Sequence, residues 1–245
     1  MTSELRTTAD GTHTLFSARF NQTYHSSHGA LAEADHVYVF LSRVRPVLRE
    51  FGHVSVLEIG FGTGLNLVAT LRACADLEGT LTYVSMEPFP VTAQVIQEIG
   101  YGRLLSEAAA REYELLMTSV AGAANAELVQ SRFTLERLQV NVAVWRGPCN
   151  TLPDTLRGFD VVYQDAFSPD ACPELWTLEH FEEVRSRLRD GAGRLATFSC
   201  AAAVRKALVA AGWEVQRVPG PVGGKREVLQ AVYNPGGHAL PGDAG

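Results

Sequence analysis

Nine consecutive residues could carry chemistry together: Glu58-Ile59-Gly60-Phe61-Gly62-Thr63-Gly64-Leu65-Asn66. Three glycines at GxGxG spacing follow a short apolar run, Val54 to Ile59, and open a helical stretch, Leu65 to Cys74. Glycine lets the backbone turn tightly and lets a ligand approach, and the helix start beyond it offers free N–H groups. Two ligand classes use such a turn. A dinucleotide favours GxGxxG, with its pyrophosphate on the helix dipole. Here Glu58 stands two positions before the first glycine. A carboxylate there repels a pyrophosphate but suits the cationic ammonium and sulfonium of S-adenosylmethionine. The plain alternative is a structural turn.

Glu87 ends the next strand-like run, Leu81 to Met86. A carboxylate there can accept hydrogen bonds from ribose hydroxyls, which both cofactor classes carry, or it can simply be solvated. The second constellation is Tyr163-Gln164-Asp165-Ala166-Phe167-Ser168-Pro169, after the buried run Phe159 to Gln164. Asp165 can accept a hydrogen bond from an amine and keep its lone pair directed at a methyl group. Phe167 can stack on a base or shape an apolar wall, and Pro169 stiffens the loop. Methyl transfer asks mainly for alignment, so positioning is the catalytic contribution such residues would make. Against this stands a reading in which Asp165 caps the loop and Phe167 is core.

The elements that must hold these residues alternate. Helical spacing runs from Ala34 to Phe51, with Val37, Phe40, Leu41, Val44 and Leu48 on one side. Strand Val54–Ile59, helix Leu65–Cys74, strand Leu81–Met86 and helix Thr92–Gly100 follow, the last with Thr92 as N-cap. Residues 101–130 are helical in composition, and Phe133–Leu138 and Val140–Trp145 alternate as paired strands. Strand Phe159–Gln164, helix Glu179–Leu188, strand Arg194–Phe198, helix Ala201–Ala211 and strands Trp213–Val218 and Glu227–Tyr233 complete the order. Alternation of this kind predicts a mostly parallel sheet covered on both faces. The last two strands are joined by Pro219-Gly220-Pro221-Val222-Gly223-Gly224, too short for a crossover, so they must be antiparallel.

The 245 residues suffice for one good-sized core. No apolar run approaches the ~20 residues that span a bilayer. The polar start, MTSELRTTADGTHT, lacks the apolar segment of a signal peptide, which predicts a cytoplasmic protein with no membrane partner. Cys74, Cys149, Cys172 and Cys200 show no CxxC spacing, and His13, His25, His28, His36, His53, His180 and His238 no metal spacing. Neither disulfides nor a metal are expected, and His25 and His28 fall near the site as loop residues. A net charge of −6 argues against a protein that coats nucleic acid. From Phe181 to Glu227, however, nine Arg or Lys stand against five Asp or Glu. That is a set of solvated helix faces or a modest phosphate-contacting patch, to which Arg205 and Lys206 could add.

Taken together, these segments resemble the methyltransferase domain of the tRNA-modifying enzyme that completes 5-methylaminomethyl-2-thiouridine at the wobble position. The motifs are GFGTGLN at 60–66, Glu87-Pro88-Phe89-Pro90, Asp165-Ala166-Phe167-Ser168-Pro169, Pro173-Glu174-Leu175-Trp176-Thr177, Leu195-Ala196-Thr197-Phe198 and Lys225-Arg226-Glu227, with Tyr24-His25-Ser26 and Gly29 upstream. The resemblance implies an α/β class I methyltransferase fold, Rossmann-like, with a mostly parallel sheet ending in an antiparallel hairpin. The resemblance spans a single methyltransferase domain at 20–234, while residues 1–19 read as a flexible N-terminus and the Gly- and Pro-rich 235–245 as a flexible tail. It implies that S-adenosyl-L-methionine meets Glu58, Gly60, Phe61, Gly62, Thr63, Gly64, Asn66, Glu87 and Asp165. Asp165 and Phe167 would lie beside the reacting amine, Tyr24 and Ser26 would close the site, and Lys225 and Arg226 would face the tRNA, while Trp176, in a loop near the site, either stacks on substrate or, as loop tryptophans more often do, packs. The reaction would convert 5-aminomethyluridine, or its 2-thio form, to the 5-methylaminomethyl product at position 34. Larger relatives add a flavin oxidase domain, which a chain ending at Gly245 would lack, as in the family's stand-alone members.

Three positions depart from the family's pattern. Asn21 and Gln22 stand where acids are usual, Pro148 and Cys149 follow Gly147 where an aspartate is usual, and Gln164 replaces a leucine. A transferase acting on a small amine or polyamine, and a silent RNA- or cofactor-binding module, are the competing readings.

Overall fold

The computed structural model describes residues 4–148, 151–237, 240 and 242. Cys149 and His238 lie outside the described residues. In chain order the strands are β1 Glu4–Thr7, β2 His13–Ser17, β3 Gln22–Thr23, β4 His53–Ile59, β5 Gly79–Met86, β6 Glu127–Leu135, β7 Leu138–Arg146, β8 Val161–Gln164, β9 Gly193–Thr197, β10 Glu214–Pro219 and β11 Glu227–Tyr233. The α-helices are α1 Ala30–Glu33, α2 Val44–Phe51, α3 Leu65–Cys74, α4 Ala93–Ile99, α5 Glu107–Gly122, α6 Leu178–Ser186 and α7 Ala202–Ala210.

Eight strands form one sheet in the order β10-β11-β9-β8-β4-β5-β7-β6. The five central strands pair in parallel. At one edge β11 runs antiparallel between β9 and β10, and at the other β6 and β7 form a hairpin. This is the class I methyltransferase architecture, α/β and Rossmann-like, with the expected antiparallel close. The central strands are apolar on both faces because both are covered. On β4, Val54 and Val56 point into one core with Leu67, Val68 and Leu71 of α3. Leu57 and Ile59 point into the other, with Phe181 and Val184 of α6 and Val204 and Leu208 of α7. Burying aliphatic side chains of this size contributes about 1.5–3 kcal/mol each. Thr92 caps α4 as expected, accepting from Val95 N.

The structure corrects the sequence reading over residues 34–51 and 127–130. In the N-terminal stretch β1 pairs with β2 and β2 with β3, and Leu15 and Thr14 are buried. In the tail, Gly242 N donates to Glu50 Oε2 at 2.7 Å. The single helix expected over 34–51 is instead a π-helical turn at Ala34–Phe40, continuing α1, and then α2, broken where Arg43 takes a left-handed conformation (φ 61°). The wider π turn buries Val37, Tyr38 and Val39 in succession and turns Phe40 out to solvent, so the 3.6-residue spacing misassigned Phe40. Residues 127–130, helical in composition, are strand because pairing with β7 overrides local propensity. Among the described residues no helix is long and apolar enough to cross a membrane.

Candidate active site

A cavity of about 1160 Å³ opens at the C-terminal ends of β4, β5 and β8. Three loops meet there because the glycine turn lets them. Gly60 has φ +97°, and a Cβ on it would lie 2.7 Å from the Asp165 carbonyl oxygen. The loops after β4 and β8 therefore touch backbone to backbone, an approach that a side chain would prevent. Gly62 has φ +56°, and a Cβ there would come within 3.0 Å of the Tyr24 ring. Gly62 N donates to Glu87 Oε2 at 2.7 Å, and Phe89 N donates to Glu87 Oε1 at 2.7 Å. Burial pushes the Glu87 pKa up, and those two donors oppose the rise. Each oxygen keeps a lone pair for a further donor.

Asp165 stands at the cavity wall with both oxygens held. Tyr38 Oη donates to Oδ1 at 2.5 Å and Asn66 Nδ2 to Oδ2 at 2.7 Å. Asn66 Nδ2 gives its other hydrogen to Glu58 Oε1 at 2.9 Å. Burial pushes Asp165 up to about 7, its two donors pull it down, and the charge of Glu33 adds to the rise. Tyr38 is pushed well above the usual tyrosine range by burial and then by Asp165, so its hydroxyl stays protonated and donating. Glu58 is fully buried, burial raises it to about 8, and its Oε2 has no partner. It was expected to meet a cationic ligand directly. It lies outside the lining instead, behind Asn66, because β4 is still within the sheet at that position.

An aromatic wall rises beside Asp165. Phe20 stacks on Phe167 with centroids 4.2 Å apart, and Tyr24 meets Phe167 edge-on at 5.0 Å. The Arg19 guanidinium lies 3.5 Å over the Phe89 ring. Trp176, read as either stacking on substrate or packing, is only 5% exposed and lies outside the lining. Its Nε1 donates to the Phe167 carbonyl at 2.9 Å, so it fixes the loop that carries Phe167. Gln164 braces the same loop. Its Nε2 donates to Leu175 O, and its Oε1 faces His180 Nε2 at 3.0 Å. Burial depresses His180 to about 4, leaving it neutral, and since Oε1 accepts, Nε2 carries the proton. Gln22 replaces an expected acid with a hydrogen bond from its Nε2 to Ser168 Oγ at 2.6 Å.

Of the residues singled out in the sequence, Tyr24, Ser26, Gly60, Phe61, Gly62, Asn66, Glu87, Asp165, Phe167 and Lys225 share the lining. Lys225 Nζ sits 3.7 Å over the Phe198 ring, and burial lowers its pKa against the pull of Glu33 and Asp165. Thr63, Gly64 and Arg226 do not line it. Thr63 is buried and accepts from Tyr113 through its carbonyl, Gly64 backs onto Tyr113 and Met117, and Arg226 is exposed beyond the cavity. Sequence reasoning gave no role to Tyr38, Glu33 or Phe20. The π turn hid Tyr38 from a periodicity search, and Glu33 and Phe20 reach the site only through long-range packing. His25 does line the cavity, neutral because burial lowers it to about 4. Among the described residues no group of His, Cys, Asp or Glu could hold a metal ion.

The profile of the S-adenosyl-L-methionine-dependent methyltransferase family matches residues 109–234. The chain is 33% identical over 228 residues to the tRNA 5-methylaminomethyl-2-thiouridine biosynthesis bifunctional protein MnmC of Ralstonia nicotianae, covering 90% of this chain and 33% of that protein. It is 36% identical over 230 residues to the protein of the same name from Paracidovorax citrulli, covering 91% and 34%. The chain thus spans about a third of the length of these relatives. The crystal structure of MNMC2 from Aquifex aeolicus superposes with a TM-score of 0.71 at 26% identity, covering 94% of this chain and 70% of that one.

Proposed function

This chain belongs to the S-adenosyl-L-methionine-dependent methyltransferase family, and from that premise we propose that it methylates a primary amine on tRNA. The acceptor is 5-aminomethyluridine, or its 2-thio form, at wobble position 34, and the product is the 5-methylaminomethyl base. The names of the most similar curated proteins support the substrate, and tRNA as partner and the cytoplasm as compartment belong to the same reading. The cavity suits the donor. Gly60 and Gly62 leave the floor open to close approach, and Glu87 offers two oxygens already pinned by backbone N–H groups. When bound, S-adenosyl-L-methionine supplies an electrophilic methyl group on a cationic sulfur.

The observation that carries the acceptor chemistry is Asp165, gripped by Tyr38 and Asn66 beside the glycine turn. An amine that attacks carbon must be neutral and must later shed a proton. A carboxylate raised to about 7 is ionised enough at neutral pH to accept the amine's hydrogen bond and basic enough to take that proton. Phe167 and Tyr24 supply planar walls for the base, Ser26 borders the same side, and Lys225 and Arg226 lead outward to the RNA backbone.

The test is the nucleoside profile of tRNA from cells with and without this gene. Build-up of 5-aminomethyluridine on deletion is expected, and an unchanged profile removes the assignment. Asp165→Ala is expected to lower turnover far more than cofactor affinity, and equal loss of both would displace it from the nucleophile. The net charge of −6 favours a small amine as the second reading, and methylation of free amines without tRNA would establish it.

A further inference from the structure

Glu33 is the last residue of α1, 8% exposed, and it lines the same cavity as Asp165. Its Oε2 accepts from Ser26 N at 2.9 Å, and its Oε1 is buried with no hydrogen-bond partner. A carboxylate with one oxygen anchored and the other unpartnered is costly unless something cationic or hydrogen-donating completes it. The titratable groups around it come from three elements. Asp165 stands on the loop after β8, Tyr38 on the π-helical turn and Lys225 on the β10–β11 connection, and the field of Glu33 reaches all three. Lys225 does not fill the gap: its ammonium lies over the Phe198 ring, and Glu33 Oε1 has no hydrogen-bond partner among the described residues.

We propose that Glu33 is a second amine-binding carboxylate, whose unpartnered oxygen receives an N–H of the acceptor while Asp165 receives another. This rests on the amine-methylation reading and deepens it. A primary alkylamine is an ammonium at neutral pH, with three N–H donors. Glu33 and the anionic form of Asp165 together hold it as a cation and exclude neutral groups such as hydroxymethyl, which would leave a buried charge uncompensated. The reaction then runs from that bound state. One N–H proton passes to Asp165, the freed lone pair forms the new N–C bond, and the C–S bond breaks with its electron pair going to sulfur. Glu33 keeps its charge throughout and stays on the nitrogen.

The test uses the full chain, S-adenosyl-L-methionine, and tRNA isolated from cells lacking this protein, so that position 34 carries the primary amine. Glu33→Gln retains an oxygen for Ser26 N–H and puts an amide NH2 where the unpartnered oxygen stood, so it removes the charge and the acceptor together while keeping the scaffold. The KM for amine-bearing tRNA is expected to rise about 10- to 100-fold at pH 7, the range of one charge-assisted hydrogen bond. Calorimetric affinity for S-adenosyl-L-methionine should stay within about twofold, which also reports on folding. The KM gap should narrow as pH rises above the amine's own pKa, since a neutral amine gains little from a carboxylate. Glu33→Asp should recover part of the loss. A Gln variant with unchanged KM, or a KM gap that does not change with pH, overturns the role of Glu33. If the wild type methylates none of this tRNA, the amine-on-tRNA reading itself falls and the proposal falls with it.

Discussion

Asn66 holds Asp165 through a 2.7 Å hydrogen bond from Nδ2, and the other hydrogen of the same nitrogen is committed to Glu58 at 2.9 Å. One amide therefore spaces two carboxylates that burial would otherwise drive to protonate. Asn66→Leu removes both donors. The expected cost is about 2–3 kcal/mol of stability at pH 8, read as a shift in urea midpoint, with a matching loss of turnover. A variant with wild-type stability and rate would show that neither carboxylate depends on this bridge.

The glycine turn yields a second expectation. Both glycines have a positive φ that strains a side chain, but at Gly60 the obstacle is the Asp165 carbonyl 2.7 Å from the Cβ, whereas at Gly62 it is the Tyr24 ring. Gly60→Ala should disturb the junction of two loops and abolish binding of S-adenosyl-L-methionine. Gly62→Ala should weaken it less, because an aromatic ring can shift where a strand-end backbone cannot. Isothermal titration with the two variants decides this, and equal losses would contradict the argument.

How much of this was legible in the sequence follows from the range of each interaction. The glycine turn, Glu87 and the Asp165 loop are local: a buried strand, a turn and a carboxylate read in order place all three at one end of the sheet. The antiparallel β10–β11 pair followed from the shortness of its connection. Tyr38 was not legible, because the π turn shifts the register that helical periodicity assumes. Glu58 carried the right residue type for a cation-facing acid, but its position inside β4 puts it behind Asn66. Trp176 was open to both stacking and packing, because its sequence context gave no sign of the Phe167 carbonyl that captures its N–H. The residues that packing alone brings in, Phe20 and Glu33, have no local signature.

Trp176 gives a third expectation. Trp176→Phe keeps most of the buried ring but leaves the Phe167 carbonyl without its 2.9 Å donor. Stability should fall by about 1–3 kcal/mol. Because Phe167 stacks on Phe20 and faces Tyr24, KM for tRNA should rise while affinity for S-adenosyl-L-methionine holds. Thermal melts and steady-state kinetics measure the two effects. An unchanged KM would place the Phe167 loop outside acceptor binding.

The two high carboxylates make stability and activity oppose each other with pH. Burial raises Glu58 from 4.5 to about 8 and Asp165 from 3.8 to about 7. Both folded values lie above the unfolded ones, so the folded chain binds these protons more tightly. Their contribution to stability is complete below about pH 4 and is lost as pH rises through 7 to 8. Glu58→Gln removes about half of that loss. It should therefore melt at a higher temperature than wild type at pH 8.5, with the difference closing toward pH 5, where Glu58 is already neutral. Turnover runs the other way, because Asp165 must be ionised to take the amine's proton. The rate should climb as pH passes through about 7, and Asp165→Asn should lose that limb along with most of its activity. A wild-type rate that is flat from pH 6 to 8, with chemistry rate-limiting, would show that Asp165 does not receive the proton.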